Sequence, residues 1–254
     1  MPDLSGSTAI VTGGARGIGL AMAGALAKCG ASIGLIDLLP EVSDSAANLA
    51  KETGVVAAGV IADVRDAKAV EAAVEHLQQQ LGTADLLITS AGITIWGDST
   101  EVTSADWQRV LEINLSGTFY AAQSFARRLL AEGRHGSVIF VSSMSGRVVN
   151  IPQFQASYNS SKAAVSMLAK SLAVEWAPSG IRVNALEPGY TLSDMTRQFM
   201  DANPELAAQW TSLIPMGRMG EPADLVGALT YLASSESSYL TGQSIVIDGG
   251  YTAI

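Results

Sequence analysis

The chain has 254 residues, 48% of them apolar, and sets 15 Lys and Arg against 24 Asp and Glu, a formal charge of −9. That is enough apolar chain for one large α/β core, since such folds reach about 250 residues undivided, and the acidic balance excludes a phosphate-binding basic face of the kind nucleic acid needs. The single cysteine, Cys29, excludes an intrachain disulfide; no run approaches the roughly 18 apolar residues of a membrane span; and Met1-Pro2-Asp3-Leu4-Ser5 lacks a basic or apolar leader. The expectation is a cytoplasmic, reducing location with no membrane partner, and Cys29 as core packing.

In chain order, strand patterns occur at 8–12, 31–37, 55–64, 84–90, 136–143, 181–187 and 243–248, and helical spacing at 18–29, 66–81, 104–131, 157–177 and 221–234. Leu86-Leu87-Ile88 and Val138-Ile139-Phe140-Val141 are apolar on consecutive positions, as in strands covered on both faces. The alternation predicts a single α/β domain over 1–254, with a doubly wound parallel seven-stranded sheet and helices on both faces. Residues 189–215 show no strand, only a turn and an amphipathic stretch, which predicts a substrate-binding loop. There Leu192, Met195 and Phe199 are expected to pack inward, with Asp194, Arg197 and Gln198 toward solvent or substrate.

The turn Thr12-Gly13-Gly14-Ala15-Arg16-Gly17-Ile18-Gly19 follows the first strand and opens a helix through Leu20, Met22 and Leu26. Glycines let the backbone turn sharply and approach a pyrophosphate, whose charge the N–H groups and dipole of the helix start favour. A tight structural turn is the competing reading of such a motif alone. Asp37, ending the second strand, counts against it, because a carboxylate there accepts from ribose hydroxyls. It would repel a 2′-phosphate and so favours NAD over NADP, whereas Arg16 would pair with that phosphate. Asp63-Val64 ends the third strand, in reach of an adenine edge; a cap for the helix after Asp66 is the alternative for Asp63.

With the motifs downstream, the chain resembles the short-chain dehydrogenase/reductase family along its whole length. Thr12 to Gly19 matches Thr-Gly-x-x-x-Gly-x-Gly, Tyr158-Asn159-Ser160-Ser161-Lys162 matches Tyr-x-x-x-Lys, Asn114 falls in Asn-Leu-x-Gly, and Ser143 takes the strand-end serine position. Pro188-Gly189 and Asp248-Gly249-Gly250 match the turns after the last two strands. The usual Asn-Asn-Ala-Gly reads Thr89-Ser90-Ala91-Gly92, so backbone contacts are expected there instead of amide side chains. The resemblance implies a Rossmann-type fold, a homotetramer, and Asn114, Ser143, Tyr158 and Lys162 as catalytic residues. The cofactor is expected on Gly13, Arg16, Gly17, Ile18, Gly19 and Asp37, on Asp63, Val64, Thr89, Ala91 and Gly92, and on Tyr158, Lys162, Pro188, Gly189, Thr191 and Ser193.

Hydride transfer at an alcohol carbon needs a proton to leave or join the alcohol oxygen. Tyr158, at a free pKa of about 10, needs help to serve near neutrality, and Lys162 lies four residues on, one helical turn away, where its ammonium favours the phenolate. Ser143 is expected to hold the substrate oxygen, with Ser142 and Ser145 as rivals; by the resemblance, the family's usual serine-to-tyrosine spacing would select Ser145, while its glycine three residues after the serine, here Gly146, selects Ser143. The stretch from Ser143 to Tyr158 resembles that of the family's polyol and sugar-alcohol dehydrogenases acting on galactitol, arabinitol and sorbose. Ser145 and Asn150 are the expected partners for extra hydroxyls, because unpaired buried polar groups cost about 1–3 kcal/mol each. Ile95, Trp96 and Val149 would instead give an apolar wall for small ketones. The alternatives are an NADPH-dependent 3-oxoacyl carrier-protein reductase, which fits Asp37 and a charge of −9 poorly, and a non-catalytic nucleotide-sensing scaffold. His76 and His135 are read as solvated, with no metal site.

Overall fold

The computed structural model describes residues 1–254 apart from the side chains of Asp194, Met195, Gln198 and Phe199. β1 (Thr8–Thr12), β2 (Ser32–Asp37), β3 (Ala57–Ile61), β4 (Leu86–Thr89), β5 (Gly136–Val141), β6 (Ile181–Pro188) and β7 (Ser244–Ile247) form one sheet in the order β3-β2-β1-β4-β5-β6-β7. All its neighbouring pairs are parallel. The winding reverses between β1 and β4, so a crevice opens outside their carboxyl ends, where sheets of this kind bind ligands.

The consecutive apolar residues of the strands serve two cores. On one face α1 (Gly17–Lys28), α2 (Val42–Thr53) and α9 (Val226–Ala233) bring Met22, Leu26, Leu49 and Leu229 onto Val11, Leu35 and Ile139. On the other, α3 (Ala67–Leu81), α5 (Gly117–Glu132) and α6 (Ala156–Trp176) bring Leu77, Phe125, Leu129 and Val165 onto Ile10, Leu87 and Phe140. Ile10 and Val11 are chain neighbours in opposite cores, which is why no polar residue interrupts the strand. Each fully buried side chain of this size contributes about 1.5–3 kcal/mol.

Two segments depart from the expected elements. α2 was not expected, because Val42-Ser-Asp-Ser-Ala-Ala-Asn-Leu is rich in Ser, Asp and Asn; only Val42, Ala46 and Leu49 are buried, and their one-face spacing is the signal for it. The expected helix 104–131 is divided: α4 (Ser104–Leu111) and α5 are joined by a single π-helical turn, Glu112–Ser116. The segment 189–215 holds α7 (Asp194–Ala202) and α8 (Pro204–Ser212). Its base is tied by a bridge between Thr191 and Gly220, and its Trp210 and Ile214 pack with Tyr190, Leu192, Met200 and Met219 in a small separate core. Leu192 thus packs inward and Arg197 is exposed, pairing with Glu221, while the expectations for Asp194, Met195, Gln198 and Phe199 lie outside the described residues. Among the described residues no helix is long and apolar enough to cross a membrane.

Candidate active site

The glycine turn runs from the end of β1 into α1. Gly13 has φ +68°, and a Cβ on it would lie 2.6 Å from the Ala91 nitrogen, so only glycine lets this turn rest on the loop after β4. Arg16 is exposed at the N-cap position of α1, and Gly17, Ile18 and Gly19 form its first turn, whose amides lack intrahelical acceptors. Asp37 holds the turn from the side: its Oδ2 accepts from the Ala15 N–H at 3.0 Å and its Oδ1 from the Leu39 N–H at 3.1 Å. A carboxylate offers about four acceptor positions, so Asp37 retains capacity for ribose hydroxyls. This open, anion-favouring helix start beside an acceptor fits a dinucleotide.

Asp63 is paired with Arg65, which donates through Nε and one terminal nitrogen at 2.9 and 2.6 Å and lowers its pKa. It does not cap α3; Asp66 does, accepting from the Lys68 and Ala69 N–H groups. Val64 and Thr89 are buried. Pro188 ends β6, and Gly189 follows, donating to the Ile247 carbonyl. Thr191 is buried with its hydroxyl on the Gly189 carbonyl, while Ser193 caps α7, accepting from the Thr196 N–H.

Asn114 sits in the π-helical turn with no exposed surface. Its amide pairs with both backbone groups of Ile93, at 2.8 and 2.9 Å, and donates to Ser161 Oγ at 3.0 Å. The wider turn aims this side chain at the loop after β4 in place of the next helical turn. A Cβ on Gly92 would lie 3.4 Å from Asn114 Oδ1 and 3.5 Å from Lys162 Nζ, so one small space joins the three residues.

Tyr158 and Lys162 share one face of α6, with Nζ 5.6 Å from the centre of the Tyr158 ring. Nζ donates to the Val141 carbonyl at the end of β5, 2.8 Å away, and burial lowers the Lys162 pKa to about 8. Burial also raises the Tyr158 pKa, opposed by a hydrogen bond with Ser143. Of these two effects on Tyr158, desolvation of the phenolate is the larger. Ser143 starts a short turn, Met144–Gly146, accepting from the Ser145 N–H at 3.1 Å, and Ser145 Oγ lies 3.1 Å from Ser143 Oγ. Of the two serines, Ser143 is the one whose side chain acts on Tyr158, lowering its pKa against the effect of burial.

Beside this centre is a polar group that the sequence reading named only in part. The Gln155 amide reaches Asn159 Oδ1, Asn150 Oδ1 and Ser145 Oγ at 3.0, 3.2 and 3.5 Å. Gln153 donates to the Tyr190 hydroxyl and accepts from the Trp210 indole, both at 2.9 Å, tying this loop to α8. The position of Gln155, three residues before Tyr158, was the available signal. Val149 is 74% exposed, and Trp96, 39% exposed, stands edge-on to Trp210. His76 and His135 are both exposed, and among the described residues no three metal-ligating side chains gather.

A family model described as enoyl-(acyl carrier protein) reductase matches residues 13–252. The chain is 44% identical to galactitol 2-dehydrogenase (L-tagatose-forming) of Cereibacter sphaeroides, over 98% of this chain and 96% of that one. It is 41% identical to the ribulose-forming D-arabinitol 2-dehydrogenase of Scheffersomyces stipitis, over 98% and 94%. A gluconate 5-dehydrogenase from Burkholderia cenocepacia, solved with NADP and tartrate, superposes with a TM-score of 0.93 at 33% identity, covering 99% of this chain and 97% of that one. With the glycine turn, the Tyr158–Lys162 pair and these likenesses spanning nearly every residue, the chain belongs to the short-chain dehydrogenase/reductase family.

Proposed function

We propose that the protein reversibly oxidises a secondary hydroxyl of a polyol or small sugar alcohol, with NAD as cofactor. The observation that carries this reading is the meeting of Ser143, Tyr158 and Lys162 outside the carboxyl end of the sheet, with Ser145, Asn150 and Gln155 fanned beside them. When bound, the nicotinamide accepts or supplies the hydride. In oxidation Tyr158 takes the proton from the substrate hydroxyl while Ser143 holds that oxygen, and in reduction Tyr158 returns it. Lys162 offsets part of the burial that disfavours the phenolate and would hold the nicotinamide ribose, while Asn114 fixes the loop at Ile93 under it.

A substrate with several hydroxyls needs several partners, and the Ser145, Asn150 and Gln155 side chains are ready-made ones. Asp37 supports NAD, because a 2′-phosphate would be brought against a carboxylate already fixed on the glycine turn. A homotetramer is part of the proposal: β7 is an edge strand, and Met167 and Val174 on α6 are 59% and 79% exposed, as is Ile254 at 90%. The buried thiol of Cys29 suits a reducing, cytoplasmic setting. A second reading, turnover of small apolar ketones, is favoured by Trp96, Ile151 and Phe154, exposed on the adjoining segments. Initial rates of NADH formation across hexitols, pentitols, diols and simple secondary alcohols test the proposal. Turnover confined to the simple alcohols would select the second reading.

A further inference from the structure

We propose that Glu187 and Arg147 are positioning residues, holding the turn that carries Ser143 against the helix that carries Tyr158 and Lys162; the proposal rests on the roles given to those three residues above. Glu187 lies on β6 and is 1% exposed. One of its carboxylate oxygens accepts from Arg147 Nε, and the other accepts from Ser166 Oγ at 2.7 Å. Arg147 directly follows the Met144–Gly146 turn, and its guanidinium also reaches the Ser244 carbonyl on β7. Ser166 stands one helical turn beyond Lys162, with its hydroxyl 2.9 Å from Ser142 Oγ, which donates to the Lys162 carbonyl at 2.7 Å. One buried carboxylate therefore fastens the serine turn and the Tyr158–Lys162 helix to the same strand.

The turn is also pressed directly against that helix. A Cβ on Gly146 would lie 2.8 Å from the Ala163 nitrogen and 2.9 Å from the Lys162 carbonyl carbon. Glycine thus permits the close approach, and the ion pair one residue later fixes its direction. An ion pair between a buried carboxylate and an exposed guanidinium is a weak device for stability, since well-packed apolar residues in place of the pair do as well. What it adds is directional contact to two elements at once, and hydride transfer is sensitive to the placement it sets, because a shift of about 1 Å costs on the order of 100-fold.

The test measures kcat, KM, NADH affinity by fluorescence titration and the thermal midpoint for Arg147→Met, Arg147→Lys, Glu187→Gln and the double variant Arg147→Met with Glu187→Gln. Arg147→Met is expected to lower kcat about 30-fold through misplacement of Ser143, with NADH affinity held within about twofold because the glycine turn is untouched. Arg147→Lys is expected to recover most of the loss. The double variant no longer buries a lone charge and regains the thermal midpoint, but not kcat. Arg147→Met with kcat within about twofold of the parent would overturn the proposal, since misplacement should cost far more; so would a double variant whose kcat returns with its midpoint, which would mark the pair as structural only. Should Arg147→Met not fold, Glu187→Gln carries the test, with a loss of about tenfold in kcat expected and an unchanged kcat overturning it. An active Tyr158→Phe would overturn the site assignment first and the positioning proposal with it, so the two failures are distinguishable.

Discussion

Replacing Lys162 with Met should leave the protein slightly more stable and nearly inactive. Lys162 is 5% exposed, and burial lowers its pKa from 10.5 to about 8. That difference corresponds to about 3 kcal/mol of cost for keeping the ammonium in the fold at neutral pH. Methionine removes the cost and fills similar space, but gives up the hydrogen bond from Nζ to the Val141 carbonyl, worth roughly 1.5 kcal/mol or more. The net gain is about 1 kcal/mol, a rise of about 2–4 °C in the thermal midpoint for a chain of this size, while kcat falls by about 100-fold or more with the loss of the charge beside Tyr158. The pH dependence gives a second check. Between pH 8 and about 10 the unfolded chain still binds the lysine proton that the folded chain has released, so the parent gains stability as pH rises. Tyr158, raised above its usual value of 10, titrates above that window. Urea unfolding at pH 7 and pH 9.5 reads both effects. A variant destabilised by more than about 1 kcal/mol at pH 7, or one that keeps the parent's gain at high pH, would refute the account of Lys162 as a strained cation.

Ser143→Ala should lower kcat about 100-fold, while Ser145→Ala should chiefly raise KM for polyols, because Ser143 is the serine whose side chain acts on Tyr158; steady-state kinetics showing the reverse order would exchange their roles. Asp37→Ala should narrow the preference for NAD over NADP by about tenfold or more in kcat/KM, and a parent enzyme that prefers NADP would show that Arg16 outweighs the carboxylate. Gln155→Leu should raise KM for polyols by about tenfold while sparing simple secondary alcohols, since it removes the amide joining Ser145, Asn150 and Asn159; equal effects on both substrate classes would deny it a part in recognition.

The sheet was legible because parallel strands buried on both faces leave an uninterrupted apolar trace, as in Val138-Ile139-Phe140-Val141. α2 was not, because a helix that buries only three side chains has a weak apolar signal among residues that favour turns. The division of the 104–131 helix is equally silent: helical spacing survives a π-helical turn, and only Asn114, a polar residue on an otherwise packed face, hints at it. Motif residues were readable because their spacing is set by one turn of helix or one loop, as with Tyr158 and Lys162. The partnership of Arg147 with Glu187 spans 40 positions and two elements, and the tie from Gln153 to Trp210 spans 57. Neither has a local pattern, so both needed the fold to bring them together. The direction of the Tyr158 shift also needed the fold, because desolvation depends on what surrounds the ring.

The most direct test of the central claim is the initial rate of NADH formation from galactitol and arabinitol by the parent and by Tyr158→Phe at equal, saturating NAD. The account predicts turnover by the parent and a loss of at least about 100-fold in the variant, with NADH still bound by both. A parent that oxidises neither polyol, or a Tyr158→Phe variant within about tenfold of it, would contradict the account.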